Sequence, residues 1–130
     1  MAAVRVTGFD HLVLRVGDVE RSLDWYVGTL GLTPVRVEEW RRGEAPFPSI
    51  RVSASTIIDL IPRHGGDGPV PHEVLDHFCL VVEPCDFGAL AGAFTVVGGP
   101  AERFGAQGVA TSLYVEDPDR TIVELRYYDR

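Results

Sequence analysis

Two Asp-His steps and two isolated carboxylates are the residues of this chain whose types suit chemistry. Asp10-His11 opens the apolar segment FDHLVLRV (9–16), and Asp76-His77 opens LDHFCLVV (75–82), 66 residues later. Asp59 interrupts TIIDLI (56–61), and Glu124 interrupts TIVELR (121–126), 65 residues later. Imidazole and carboxylate together can ligate a divalent cation or move protons. Taken singly, each has a plainer explanation. A histidine at a strand start is commonly a hydrogen-bonded structural residue, and a lone Asp or Glu a solvated charge or ion-pair partner. Jointly they say more, because each carboxylate breaks an apolar run and returns where its histidine returns. Two matches at almost one offset mark two copies of one module. Module 1 covers about residues 5–64 and module 2 about 73–130, meeting within RHGGDGPVPHEV (63–74), in a single domain of 1–130.

The elements that must position these residues follow the same grammar twice. After the first strand, Asp18 is placed to cap a helix through VERSLDWYVGTL (19–30). Val19, Leu23, Tyr26 and Leu30 form its apolar stripe, and Gly31 suits its C′ position. Strands are expected over 34–39, 50–53 and 56–61. In the second copy Asp86 opens a shorter helix with Phe87, Leu90, Ala91 and Phe94 on one face, followed by strands over 101–103, 109–115 and 122–128. The link EDPDRT (116–121) closes the last hairpin. The result is βαβββ twice, an α+β fold with helices on the outer face of the sheet. Strand alternation puts His11 on a face with Phe9, Val13 and Arg15, and His77 with Leu75, Cys79 and Val81. Glu124 shares a face with Ile122, Arg126 and Tyr128. If the modules pair edge to edge, two histidines and one or two carboxylates meet in one cleft. Two His and a carboxylate with open positions suit a catalytic divalent metal, which can polarise a bound substrate.

Composition narrows the partners. A chain of 130 residues with a net charge of −7 and 45% hydrophobic residues can bury a core and repels nucleic acid and anionic membrane. No apolar run is long enough to cross a bilayer, and MAAVRVTGFD lacks the plan of a signal peptide. Two cysteines, Cys79 and Cys85, are too few for a disulfide scaffold and have no metal spacing, so a reduced, cytoplasmic protein is expected. All twelve basic residues are arginine, which excludes a Schiff-base lysine and a P-loop lysine.

With FDHLVLRVGDVERSLDWYVGTLGL, LDHFCLVV and SLYVEDPDRTIVEL in view, the chain resembles the vicinal oxygen chelate superfamily, which includes glyoxalase I, extradiol ring-cleaving dioxygenases and bleomycin-resistance proteins. The likeness covers essentially the whole chain. It implies paired modules curled into a half-open mixed β-sheet barrel, helices outside, around a divalent metal: Fe, Mn, Ni, Co or Zn. By that resemblance the ligands are His11, Asp59, His77 and Glu124. Asp59 is one methylene shorter than the family's usual second ligand, so it ligates directly, through water, or serves as a base. The hairpin commonly reads Asp-Pro-Asp-Gly, and here Arg120 takes the glycine's place.

The resemblance implies one of three functions. The leading one is a glyoxalase-type lyase or isomerase acting on a small oxygenated metabolite through a metal-stabilised enolate, with Asp59 or Glu124 as base. An extradiol-type dioxygenase would use the two histidines and Glu124, with Tyr114 on the preceding strand as a catalytic candidate. It would need a further acid–base histidine, for which His64 and His72 are imperfect substitutes. A non-catalytic drug- or metabolite-binding protein would line its pocket with aromatics such as Trp25, Trp40, Phe47 and Tyr114. Residues 38–49, EEWRRGEAPFPS, are expected as a mobile loop over the cleft mouth or as solvated linker. Arg15 and Arg126 would steer an anionic substrate or pair with carboxylates. The resemblance also implies a homodimer.

Overall fold

Alternation of apolar and polar side chains in HLVLRV produces β1 (His11–Val16), in which Leu14 and Val16 are buried while His11, Val13 and Arg15 turn the other way. The computed structural model describes residues 5, 7–63 and 75–129. In module 1, β1 leads through α1 (Val19–Leu23) and a π-helical turn (Asp24–Thr29) to β2 (Thr33–Val35), α2 (Val37–Arg41), β3 (Ser49–Ser53) and β4 (Thr56–Pro62). Module 2 has β5 (His77–Val81), a 3₁₀ segment (Phe87–Gly92), β6 (Thr95–Gly105), β7 (Gly108–Glu116) and β8 (Ile122–Tyr127). The strands make two four-stranded sheets of like order, β1-β4-β3-β2 and β5-β8-β7-β6. In both, the first strand runs parallel to the last and the other pairings are antiparallel.

Register carries the repeat down to single residues. His11 pairs with Ile57 and Val13 with Asp59, while His77 pairs with Ile122 and Cys79 with Glu124. In each sheet, then, the carboxylate sits two residues beyond the histidine's partner on the adjacent strand. Both fall on one sheet face, a placement that follows from the period-two pleat.

The opposite face of each sheet is the core. Leu14, Val16, Ile58, Leu60 and Ile50 pack under α1 in the first, and Leu80, Leu113, Val115, Val123 and Leu125 pack against Phe87 in the second. Trp25, Leu30, Val52 and Phe78 touch both clusters and join them. Asp18 caps α1 by accepting the Arg21 N–H (3.1 Å), and Gly31 at φ 84° ends the helical run as its position predicts. The widening to a π turn after Leu23 seats the consecutive Trp25 and Tyr26 both inward, edge to face at 4.7 Å.

Module 2 grips module 1 through the turn of residues 117–120. Asp119 accepts the Gly17 N–H (2.9 Å), and Asp117 accepts the buried Tyr26 hydroxyl (2.8 Å) together with the backbone N–H groups of Asp119 and Thr121 (both 2.8 Å). Burial raises the Asp117 carboxyl above its ordinary 3.8, only partly offset by those donors. A carboxyl raised in the fold contributes stability that is present below 3.8 and lost as pH rises through the folded value. Tyr26→Phe removes the hydroxyl that compensates the buried anion. At pH 7 it should cost about 1–3 kcal/mol, and the cost should shrink as pH falls toward 4, as read by urea denaturation at both pH values.

Arg120 sits at φ 66°, in the left-handed region expected for that place in the turn. Its ion pair with Glu116 is long, 3.9 Å, and exposed. Arg120→Gly relieves the strain of a Cβ there, less the extra chain entropy of glycine, and should raise the unfolding free energy by about 0.5–1 kcal/mol in the same assay.

Three expectations need correction. The strand expected over 34–39 stops at Val35, because Arg36 turns the chain left-handed at φ 59° and Val37–Arg41 coil into α2. The strand expected over 101–103 begins at Thr95, since register shifts at Gly98 and before Ala101 let pairing with β7 continue through the Gly-Gly-Pro stretch. Ala91 is exposed rather than on the buried face of its segment, a consequence of the tighter 3₁₀ winding.

The part of residues 38–49 that forms α2 is fastened to α1. Arg41 reaches Glu20 through two bonds of 2.8 Å and Glu38 through one of 2.6 Å, and Trp40 packs on the first core. Helix α2 therefore stands on the helix side of the first sheet, away from the face that carries His11. No helix among the described residues is long and apolar enough to cross a membrane.

Candidate functional site

The sheet faces turned away from the helices carry His11, Asp59, His77, Tyr114 and Glu124. On the first, His11, Val13 and Arg15 of β1 lie beside Ile57, Asp59 and Ile61 of β4 and Ser49 of β3. On the second, His77, Cys79 and Val81 of β5 lie beside Ile122, Glu124 and Arg126 of β8 and Ser112 and Tyr114 of β7. Among the described residues both faces are open along their edge strands, where Val13 is 45% and Val81 62% exposed, while Asp59, Glu124 and Arg126 are buried. That exposure is what a half-open barrel requires.

Each histidine is oriented by the aspartate before it. His11 Nδ1 lies 2.7 Å from Asp10 Oδ2, and His77 Nδ1 lies 2.6 Å from Asp76 Oδ2, distances at which the ring N–H donates to the carboxylate. That bond fixes the tautomer and leaves Nε2 as the free lone pair, the pattern that prepares a histidine to bind a metal. The Asp10 hydrogen bond raises the His11 imidazole above a free histidine's 6.5, and the Asp59 charge acts in the same direction.

In the second half-site His77 Nε2 stands 3.1 Å from Glu124 Oε1. The other oxygen, Oε2, accepts the Ser112 hydroxyl (2.6 Å) and the Arg126 Nη1–H (3.3 Å). Tyr114, across from Glu124 in register, packs edge-on against the His77 ring at 5.8 Å. A neutral imidazole has a single N–H. A ring with carboxylate oxygens at both nitrogens therefore needs a cation, a proton or a metal, on one side. The donor set fits a divalent metal of the imidazole- and carboxylate-binding kind.

In the first half-site Asp59 is buried, accepts the Ser49 hydroxyl (2.6 Å), and makes no ion pair with an arginine among the described residues. The four candidates fall in two half-sites. His77, Glu124 and Tyr114 come together, and Asp59 lies within electrostatic reach of His11. Yet no group of three or more His, Cys, Asp or Glu is placed to hold a metal among the described residues. The reason is topological: β1 and β5 are both edge strands of separate sheets and do not pair.

The remaining candidates sort by place. Arg126 is buried beside Glu124, whereas Arg15 is exposed and reaches only the Pro62 carbonyl at 3.5 Å. Trp25 and Trp40 pack on the cores, and Phe47 lies under the Arg36 guanidinium at 5.0 Å. His64 and His72, with the module junction, lie outside the described residues. Ser49 and Ser112 were not singled out by sequence reasoning, because only strand pairing brings them to the carboxylates. The doubled Asp-His step did signal Asp10 and Asp76.

The chain is similar to several known proteins. A "virulence protein" of Salmonella typhimurium is 26% identical over 92% of this chain and 83% of its own length. A "probable lactoylglutathione lyase" of a Synechocystis strain is 28% identical over 88% of this chain and 91% of its own. Among solved structures, an integron cassette protein from the mobile metagenome of V. cholerae is similar with a TM-score of 0.75 and 25% identity, covering 98% of this chain and all of that one. The family model described as "Glyoxalase/Bleomycin resistance protein/Dioxygenase superfamily" matches residues 8–125, and the chain belongs to that superfamily.

Proposed function

We propose that the protein is a divalent-metal-dependent lyase or isomerase of the glyoxalase type, acting on a small oxygenated metabolite, with its metal site shared between two copies of the chain. His11 and Asp59 of one copy would face His77 and Glu124 of the other. The observation that carries this reading is His77, whose ring stands between the Asp76 and Glu124 carboxylates, a setting that favours a bound cation. Support for sharing comes from the two equivalent half-sites, each pairing an exposed or half-exposed histidine with a buried carboxylate and neither forming a metal-holding group alone among the described residues. Relatives named lactoylglutathione lyase support the reaction class.

A metal bound there would polarise neighbouring oxygens of the substrate and stabilise negative charge developing on them. The chain's own residues divide the rest. Asp10 and Asp76 hold the two rings at Nδ1 and so direct each Nε2 toward the site. Glu124 is held at Oε2 by Ser112 and Arg126 and presents Oε1. Asp59, which accepts from Ser49, is flanked by Ile57 and Ile61 and makes no arginine ion pair among the described residues, is the carboxylate left to act as base. It takes a proton from the carbon next to a carbonyl and returns it to the adjacent carbon, an isomerisation with no net gain or loss of atoms.

The experiment is metal analysis of protein purified without chelator, combined with turnover of a methylglyoxal–thiol adduct. Stoichiometric metal and turnover are expected. Metal-free protein that instead binds aromatic drugs would overturn the reading in favour of sequestration. The Tyr114 ring against His77 favours a second reading, extradiol-type ring cleavage using His11, His77, Glu124 and Tyr114. Oxygen uptake with catechols, without adduct turnover, would select it.

A further inference from the structure

Arg126 is a deeply engaged charge, with a side chain only 5% exposed. All four of its Nη hydrogens are directed. Nη1 donates to Glu124 Oε2 and to the Phe104 carbonyl (both 3.3 Å), and Nη2 to the carbonyls of Arg103 (2.8 Å) and Gly108 (3.2 Å). Its guanidinium also lies over the Tyr128 ring at 5.0 Å, and the Tyr128 hydroxyl accepts the Gln107 N–H at 3.1 Å. The three carbonyls come from both arms of the β6–β7 hairpin next to its turn. Gly105 makes room for this: a Cβ there would fall on the guanidinium. Module 1 has no counterpart, since Ile61 occupies the position equivalent to Arg126.

We propose that Arg126 is a positioning residue: anchored on the end of the β6–β7 hairpin, it locks Glu124 so that Oε1 alone is presented to His77 and to whatever cation that pair holds. Held by the Ser112 hydroxyl alone (2.6 Å), the carboxylate could still turn about that one bond and offer either oxygen. Tying Oε2 to a rigid, planar fork removes that freedom, because the fork is itself fixed at three carbonyls. The hairpin and the carboxylate consequently move as one body. The part of this inference that concerns metal rests on the proposed reading of Glu124 as a ligand; the part that concerns Glu124 and His77 does not.

Two variants separate the roles. Arg126→Met removes the fork, and Gly105→Ala keeps it but pushes it off its seat. In metal-free protein, the His77 Nε2 resonance in ¹⁵N NMR at fixed pH should move in both variants, because Oε1 leaves the ring. Co(II) affinity should fall by about 10- to 100-fold, with an altered visible absorption spectrum of the bound ion. A role confined to stability would lower the melting temperature and leave both signals in place. Folded variants with unchanged His77 resonance and Co(II) affinity overturn the inference. If Arg126→Met does not fold, Gly105→Ala decides. If the wild type takes up no Co(II), the proposed metal function fails, and the His77 resonance alone decides the role of Arg126.

Discussion

An equimolar mixture of His11→Ala and His77→Ala chains, unfolded and refolded together, should recover about one quarter of the wild-type metal content and turnover, while each variant alone recovers almost none. The arithmetic follows from a shared site. Random pairing makes half of the dimers mixed. In a mixed dimer one site combines both substitutions and the other combines the intact His11 of one chain with the intact His77 of its partner. One site in two, in half of the dimers, is one quarter. If each chain built its own site, every site in the mixture would lack one histidine, and no recovery would follow. Loss of a histidine ligand should otherwise reduce affinity by well over 100-fold, since the remaining ligands leave the ion under-coordinated. Gel filtration of the wild type at micromolar concentration accompanies the measurement, and a clean monomer with full metal content would end the shared-site proposal.

Removing the carboxylate of the second half-site should be far more damaging to stability than removing that of the first. Glu124→Ala leaves the Arg126 guanidinium buried with carbonyls but no anion, and the loss of one member of a buried pair costs about 3–5 kcal/mol. Asp59→Ala gives up one hydrogen bond from Ser49 and relieves the burial of an anion with no arginine beside it, so it should cost no more than about 1 kcal/mol. Denaturant titration of both variants without metal makes the comparison. Replacing the pair together, Glu124→Leu with Arg126→Met, should return most of the loss, because apolar groups of similar size need no compensation. Equal costs for the two single variants would show that the half-sites are not as different as their neighbours make them.

The same asymmetry shows how much of the site was legible in one dimension. The doubled Asp-His step and the matched Asp59 and Glu124 announced the modules, the α+β class and the four candidate residues, because duplication preserves spacing and period-two alternation decides which side chains share a face. Capping by Asp18, the end of the helical run at Gly31 and the left-handed turn residue Arg120 were also legible, since each depends on a few adjacent residues. Strand ends were less so. Arg36 and the Gly-Gly-Pro stretch of β6 carry turn or breaker chemistry whose outcome was decided by what their neighbours pack against.

Tertiary structure alone decided which residues complete each half-site. Ser49 and Ser112 reach the carboxylates only through strand pairing, and Arg126, whose pairing with a carboxylate the sequence already suggested, is fixed there by a hairpin that folds back over β8. It also set β1 and β5 as edges of separate sheets, with no metal-holding group of three or more His, Cys, Asp or Glu among the described residues. A repeating pattern specifies the faces of a strand; it says nothing about which sheet lies opposite, because that depends on how whole surfaces pack.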